Sequence, residues 1–177
     1  MANSWNGKPY YSFDAMLKER FSTKVYKVAL NGGMSCPNRD GTLGNGGCIF
    51  CSAGGSGDFA GNSRDSITTQ IKIQADRLRE KRGAKKFIAY FQNYTNTFLP
   101  LPALLQYMEE AAGMENIVEI SLSTRPDCIR QDYLEAFQNF RERTGIEVSI
   151  ELGLQTVNYH TLSAMNRGHG LAEFINA

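Results

Sequence analysis

The stretch KFIAYFQNYTNTFLPLPALLQYMEEAAGMENIVEISL, residues 86–122, contains the pattern that decides the fold. Apolar and aromatic residues over Lys86–Phe91 and Ile117–Leu122 predict two strands. The segment Pro100–Ala112 between them predicts a helix, because a proline stands near its start and Gly113 lies just past its end. A strand, a helix and a second strand in this order indicate a right-handed βαβ unit with parallel strands.

The same alternation continues on both sides of this unit. Further helices are predicted at Phe13–Phe21, Asp65–Arg82, Gln131–Arg143 and Tyr159–Met165, and further strands at Val25–Leu30 and Ile146–Leu152. A complete eight-unit barrel takes about 250 residues, or about 31 per unit, so this chain holds about four units after an N-terminal extension of residues 1–24. We therefore expect an α/β fold that is either half of a barrel or a small open sheet.

Composition and charge are those of an ordinary globular protein. The chain has 177 residues, enough for one domain, with 42% hydrophobic and 21% charged residues. The 19 Lys and Arg residues nearly balance the 18 Asp and Glu residues, so overall charge gives no sign of a nucleic-acid or membrane partner. No apolar run approaches the roughly 20 residues of a membrane helix, and the first residues do not resemble a secretory signal. We therefore expect a cytoplasmic protein without a membrane partner.

Cysteine and glycine are concentrated in one loop. The cysteines Cys36, Cys48 and Cys51 lie close together, whereas Cys128 is distant, and ten of the 17 glycines fall between Gly32 and Gly61. In a reducing compartment, clustered cysteines more often hold a metal or do redox chemistry than form disulfides. A loop of about 30 residues is uncommon in a compact domain unless it has a function.

The spacing of these thiols leaves two kinds of metal site open. Thiolate is a soft ligand that suits zinc or an iron–sulfur centre. Three thiolates at Cys36, Cys48 and Cys51 leave one coordination position open, as in sites that bind a substrate or cofactor. If Cys128 were the fourth ligand, the chain would be a noncatalytic zinc-binding module that binds RNA. Otherwise Cys128 is a semi-buried structural thiol.

Polar residues follow the predicted strands. Parallel strands carry their functional site at their C-terminal ends, where this chain has Asn31-Gly32-Gly33, Gln92-Asn93-Tyr94-Thr95, Ser123-Thr124-Arg125 and Leu154-Gln155-Thr156. The cysteine loop follows the first of these strand ends. We therefore expect the thiols and the polar strand ends to meet on one face of the sheet.

Several motifs resemble those of radical S-adenosylmethionine (radical SAM) enzymes. The tetrapeptide Cys48-Ile49-Phe50-Cys51 is similar to the end of their cluster motif, although the gap of eleven residues after Cys36 is longer than usual there. The wider resemblance is to bacterial YhcC-type radical SAM proteins, which are related to the catalytic subunit of elongator. It is carried by GMSCPNRDG at 33–41, GGCIFC at 46–51, GSGDF at 55–59, QNYTNT at 92–97, STRPD at 123–127, ELGLQ at 151–155 and NRGH at 166–169.

The resemblance implies a fold, a cofactor pair and a reaction. The fold would be a partial TIM-like (β/α) barrel of six units, with residues 25–177 as its N-terminal part, cut off before the last strands. Cys36, Cys48 and Cys51 would bind a [4Fe-4S] cluster whose open iron is chelated by SAM. Reductive cleavage of SAM would give a 5′-deoxyadenosyl radical that abstracts hydrogen from the substrate. No catalytic side chain is implied.

The resemblance also implies contacts to SAM. The candidate cofactor-binding residues are Phe50, Gln92, Tyr94, Thr95, Ser123, Arg125, Glu151, Gln155 and Arg167. At the end of the second strand Gln92 or Thr95 would replace the Gly-Gly-Glu that is usual in the family. Arg167 suits the SAM carboxylate, because a guanidinium binds a carboxylate with two hydrogen bonds. The alternatives are core packing for Phe50 and a salt bridge between Arg125 and Glu151.

Three kinds of partner are expected. The family implies an electron donor of the flavodoxin or ferredoxin class. The segment Arg77–Lys86 carries six basic residues and one acid, so it is either a solvated helix face or an RNA-facing patch. Together with the relation to elongator, that patch favours a tRNA nucleoside as substrate. An incomplete barrel would also expose a strand edge and favour self-association, which sedimentation as a monodisperse monomer would contradict.

Overall fold

The computed structural model describes residues 7–177. The helices are α1 (Phe13–Phe21), α2 (Ile67–Arg82), α3 (Leu101–Ala112), α4 (Gln131–Thr144), α5 (Tyr159–Ala164) and α6 (Leu171–Asn176). The strands are β1 (Val25–Leu30), β2 (Lys86–Phe91), β3 (Ile117–Thr124) and β4 (Glu147–Leu152). The first six residues of the predicted extension 1–24 lie outside the described residues.

The four strands form one parallel sheet in the order β1-β2-β3-β4. Val25 of β1 lies opposite Lys86 of β2, and Glu119 of β3 lies opposite Glu147 of β4. A crossover containing α2, α3 or α4 joins each strand to the next. The predicted α/β partial barrel is therefore confirmed.

The sheet curls strongly. In a flat sheet β1 and β4 would lie roughly 14 Å apart, at about 4.8 Å for each of three strand spacings. Lys27 of β1 nevertheless forms an ion pair with Glu151 of β4, and its Nζ atom lies 4.0 Å from the centroid of the Tyr90 ring on β2. These side chains lie on the concave face, so the curl is that of a partial barrel. The outer edge of β4 has no partner strand within residues 7–177.

The main apolar core lies between the convex face of the sheet and the helices. It contains the buried Val28, Leu30, Phe87, Phe91, Ile120 and Leu122 from the strands and Ile71, Leu104, Met108, Phe137 and Phe140 from the helices. Because side chains alternate between the two faces of a strand, this core leaves the residues between them on the concave face. The concave face is where Lys27, Tyr90 and Glu151 meet.

Helix α1 covers the beginning of the concave face. Its Leu17 packs in a second buried cluster with Val25 and Ile88. Arg20 lies 2.6 Å from a carboxylate oxygen of Glu147 on β4. The helix at Phe13–Phe21 was predicted, but its contacts with the sheet were not.

The element bounds differ from the prediction mainly at caps and strand ends. Helix α2 begins at Ile67 because the Ser66 side chain accepts a hydrogen bond from the Thr69 amide at 3.1 Å, the usual N-cap arrangement. Strand β3 continues through Thr124 because it pairs with β4 over its last residues. Helix α6 was not predicted.

None of the helices in residues 7–177 has the length and apolarity needed to cross a bilayer.

Candidate functional site

A cavity of about 240 Å³ lies at the C-terminal ends of the strands. Its walls come from the cysteine loop, the ends of β2, β3 and β4, and the segment after α5. All twelve residues predicted for the cluster and for SAM line it: Cys36, Cys48, Phe50, Cys51, Gln92, Tyr94, Thr95, Ser123, Arg125, Glu151, Gln155 and Arg167. The topology thus brings the predicted residues together, while their individual roles stay predictions.

The thiols in this cavity are free. Cys48 is buried, with 5% of its surface exposed, while Cys36 and Cys51 are half-buried. Within the described chain no three Cys, His, Asp or Glu side chains are gathered as a single metal ion would need. A zinc ion would hold every thiolate at about 2.3 Å, whereas an iron–sulfur cluster spreads its thiolates over different irons.

Backbone turns and one arginine shape the cysteine loop. The Cys36 carbonyl accepts hydrogen bonds from the amides of Arg39 and Asp40, at 2.8 and 3.1 Å. The guanidinium of Arg39 reaches across the loop and donates to the carbonyls of Cys51 and Ser52, at 3.0 and 2.6 Å. The loop therefore has a defined conformation without a helix or strand of its own.

Cys48 has the densest polar surroundings of the three thiols. Its Sγ atom accepts hydrogen bonds from Asn38 Nδ2 at 3.6 Å and from Arg167 Nη1 at 3.5 Å. The other terminal nitrogen of Arg167, Nη2, donates to the Gly153 carbonyl at the end of β4. Arg167 Nε is buried and has no hydrogen-bond partner. Arg167 was predicted to bind a carboxylate, but here it contacts a predicted cluster ligand directly.

The end of β2 supports the glycine-rich part of the loop. The side chains of Gln92 and Tyr94 donate to the carbonyls of Ser56 and Ala53, at 2.9 and 2.7 Å. A Cβ atom on Gly57 would lie 2.1 Å from Asn93 Oδ1, so only glycine lets the loop approach β2 this closely. The polar sequence after β2, predicted to contact SAM, thus also holds the loop in place.

The buried Arg125 forms an ion pair with Asp127 that the sequence did not suggest. Its guanidinium, 2% exposed, binds the Asp127 carboxylate with two hydrogen bonds of 2.9 and 2.8 Å and donates to the Arg167 carbonyl at 2.9 Å. Burial alone would lower the pKa of Arg125, but the hydrogen bonds and charge of Asp127 outweigh it and raise the pKa. The alternative of an Arg125–Glu151 salt bridge is wrong, because Glu151 pairs with Lys27.

Glu151 is an ionised carboxylate at the cavity. Burial alone would raise its pKa, but the hydrogen bond and charge of Lys27 and the bonds from Tyr90 and Ser121 lower it. Tyr90 also shares a 2.7 Å hydrogen bond with the Ser123 hydroxyl. The Glu151 carboxylate on β4 therefore lines the cavity as one half of an ion pair with Lys27.

Several residues at or behind the cavity were missed by the sequence reasoning: Asn38, Arg39, Ser56, Tyr90, Thr124 and Asn166. Tyr90 could have been found, because it precedes Gln92 by two residues and alternate residues of a strand share a face. Asn38 and Asn166 lie in motifs that carry the family resemblance, but their contacts depend on how two distant loops pack together.

Cys128 lies outside this cavity. It lines a different one with Pro37, Leu43, Phe98 and Tyr133. Burial, reinforced by the neighbouring Asp127 charge, raises the pKa of the Cys128 thiol to about 12, although Arg125 opposes this. The four-cysteine zinc site would need Cys128 beside the other three thiols, whereas Cys128 lines a separate cavity.

We expect Cys128 to be a poor nucleophile in the folded chain. Because its raised pKa leaves little thiolate at pH 8, iodoacetamide should alkylate it at least about tenfold more slowly than in the urea-unfolded chain. Peptide mapping by mass spectrometry would measure both rates. Equal rates would show that the thiol is not protected.

Comparison with known proteins gives one family and several relatives. Residues 41–177 match the family model described as the Radical SAM superfamily. The chain is 48% identical over 162 residues to the uncharacterized protein YtqA of Bacillus subtilis, covering 92% of this chain and 50% of that protein. It is 42% identical over 160 residues to protein YhcC of Escherichia coli K12, covering 90% and 50%. It is 31% identical over 174 residues to the uncharacterized protein MJ0486 of Methanocaldococcus jannaschii, covering 97% and 52%. The chain thus spans about half the length of these curated relatives.

Proposed function

Because this chain belongs to the radical SAM superfamily, we propose that it is an enzyme that holds a [4Fe-4S] cluster and SAM in the cavity at its strand ends. The observation that carries the proposal is that Cys36, Cys48 and Cys51 line one cavity together with the polar ends of three strands. This arrangement gives three soft ligands on one side and hydrogen-bonding groups on the other.

The residues present fit such a group. Three free thiols supply the donor set that an iron–sulfur cluster with one open position needs. Arg167 lines this cavity and is positively charged, so an anionic cofactor bound there would be attracted to it. Its buried Nε–H has no hydrogen-bond partner in the protein.

The chain's own residues would bind and orient the cofactors. A cluster held there and reduced by a donor of the flavodoxin or ferredoxin class would supply one electron to SAM, whose C5′–S bond would break to give methionine and a 5′-deoxyadenosyl radical that abstracts hydrogen from the substrate. Glu151 would accept hydrogen bonds from ribose or from an amino group, while the Ser123 hydroxyl and the Gln92 amide offer further polar contacts. The apolar ring of Phe50 would help to exclude water.

Anaerobic reconstitution tests the proposal. With iron, sulfide and dithionite we expect about four irons and four sulfides per chain, a brown colour, and 5′-deoxyadenosine once SAM is added. One zinc per chain without sulfide would contradict the proposal and favour the zinc-binding alternative.

For the substrate we propose a nucleoside in tRNA. The proposal is supported by the resemblance to elongator-type enzymes and by the exposed basic residues Arg77, Lys81, Arg82 and Lys85. These residues lie at the end of α2 and the start of β2, about 20 Å from the cavity by the length of a six-residue strand. They would therefore contact phosphates far from the modified nucleoside.

The salt dependence of tRNA binding tests this substrate class. The double variant Lys81→Gln/Lys85→Gln should bind more weakly and reduce the slope of log Kd against log salt by about 2, because two phosphate contacts are lost. The control Arg64→Gln/Lys72→Gln removes two other exposed charges and should leave the slope nearly unchanged. Equal slopes in both variants would remove the support for this patch.

A further inference from the structure

The segment after α5 clamps the cysteine loop. The Ile49 amide donates to the Met165 carbonyl at 3.1 Å, and the Asn166 side chain donates to the Gly47 carbonyl at 2.8 Å. In return, the Asn38 side chain donates to the Asn166 carbonyl. The first two contacts hold the backbone on both sides of Cys48, and the third ties Asn38 to the same segment.

Two side-chain donors converge on Cys48 within this clamp. Asn38 is 2% exposed and Arg167 is 7% exposed, so both N–H···S bonds to Cys48 Sγ are shielded from water. Arg167 is itself held by the Gly153 carbonyl, and its own carbonyl accepts from Arg125. The two donors are therefore fixed before any cofactor binds.

We propose that Asn38 and Arg167 are positioning residues that hold the Cys48 thiolate and raise the reduction potential of the cluster it ligates. The inference rests on the proposed function, since it needs the cluster to bind at Cys48. Hydrogen bonds to the sulfurs are one of the factors that set the potential of an iron–sulfur cluster. These hydrogen bonds stabilise the reduced cluster more than the oxidised cluster, because reduction adds negative charge to the cluster sulfurs. The positive charge of Arg167 acts in the same direction.

The structure offers a matched pair of arginines for the test. Arg39 and Arg167 line the same cavity, but Arg39 donates to carbonyl oxygens and Arg167 donates to Cys48 Sγ. Replacing either one with methionine removes one positive charge at similar side-chain length. A difference between Arg167→Met and Arg39→Met therefore reports the contact with sulfur rather than the charge.

The measurement is an EPR-monitored redox titration of the reconstituted chain. Compared with the unsubstituted chain, Arg167→Met should disfavour the reduced cluster by about tenfold, which is about 59 mV toward negative potential for one electron. Asn38→Leu should shift the potential in the same direction by a smaller amount, because it removes a neutral donor. Arg167→Lys, which restores the charge, should recover part of the shift, and Arg39→Met should shift it less than Arg167→Met.

Each outcome decides the inference. Equal potentials in Arg167→Met and Arg39→Met would overturn it while leaving the proposed function intact. If Arg167→Met folds, as judged by circular dichroism, but loses the cluster that Arg39→Met retains, the positioning role is supported. If both variants lose the cluster alike, Asn38→Leu decides, and an unchanged potential in Asn38→Leu would overturn the inference. Failure of the unsubstituted chain to bind a cluster would overturn the proposed function and the inference with it.

Discussion

After anaerobic reconstitution, the Cys48→Ala variant is expected to be colourless, to contain no bound sulfide and to produce no 5′-deoxyadenosine. Cys48 is the most buried of the three cavity thiols, and its sulfur accepts the two N–H bonds described above. The cavity holds no fourth thiol that could replace Cys48, since Cys128 lines a separate cavity. The loss should be essentially complete in iron, sulfide and product assays.

Cys128→Ala provides the matched control. It removes the thiol that lines the separate cavity, so the cluster content should match that of the unsubstituted chain. If Cys128→Ala lost its metal as completely as Cys48→Ala, the four-cysteine zinc site would be the better account. Retention of a full cluster by Cys48→Ala would contradict the assignment of Cys48 as a ligand.

Replacing Arg125 with leucine is expected to lower the free energy of unfolding by roughly 1 to 3 kcal/mol, because the Asp127 side chain, 17% exposed, loses its charge partner and two hydrogen bonds. The Arg167 carbonyl would also lose its donor. Urea unfolding of the metal-free chain, followed by circular dichroism, would measure the change. We expect a clear fall in the urea concentration at the unfolding midpoint, with an unchanged dependence of the free energy of unfolding on urea concentration.

The chain contains a well-matched comparison for this ion pair. Arg130 and Asp132 repeat the Arg-x-Asp spacing with the same two-bond geometry, but both side chains are largely exposed. Arg130→Leu should therefore leave the urea midpoint nearly unchanged, because exposed pairs contribute little. Adding Asp127→Asn to Arg125→Leu should recover part of the loss, since the unpaired charge is removed. Similar midpoints for Arg125→Leu and Arg130→Leu would contradict this account.

The regular elements could be predicted because their local signals agree with the final packing. Strand β2 is a continuous apolar run, as expected for a parallel strand covered on both faces, and α3 has proline at its start and Gly113 at its end. Strand β3 ends later than predicted because Ser123 and Thr124 are polar, and only pairing with β4 makes them strand residues. Helix α6 is too short to show a clear helical repeat of apolar residues.

The site could be predicted as a set of residues but not as a network of contacts. Parallel topology places the strand ends together, which explains why Gln92, Ser123 and Glu151 share a cavity. The three cysteines and Arg167 come from loops, and the family resemblance pointed to them. The pairing of Arg125 with Asp127, rather than with Glu151, depends on the turn that follows β3, which composition does not specify. The contact of Arg167 with Cys48 joins residues 119 positions apart, so no local pattern indicates it.

That separation has a consequence for biosynthesis. The ribosome must add over a hundred residues after Cys48 before Arg167 exists, which takes roughly 6 to 24 s at about 5 to 20 residues per second. During this time the three thiols have already been synthesised, but Arg167, which donates to the Cys48 sulfur, has not. On the proposed function, we expect cluster insertion to follow synthesis of the segment Asn166-Arg167-Gly168, because only then is the Cys48 sulfur held by both of its donors.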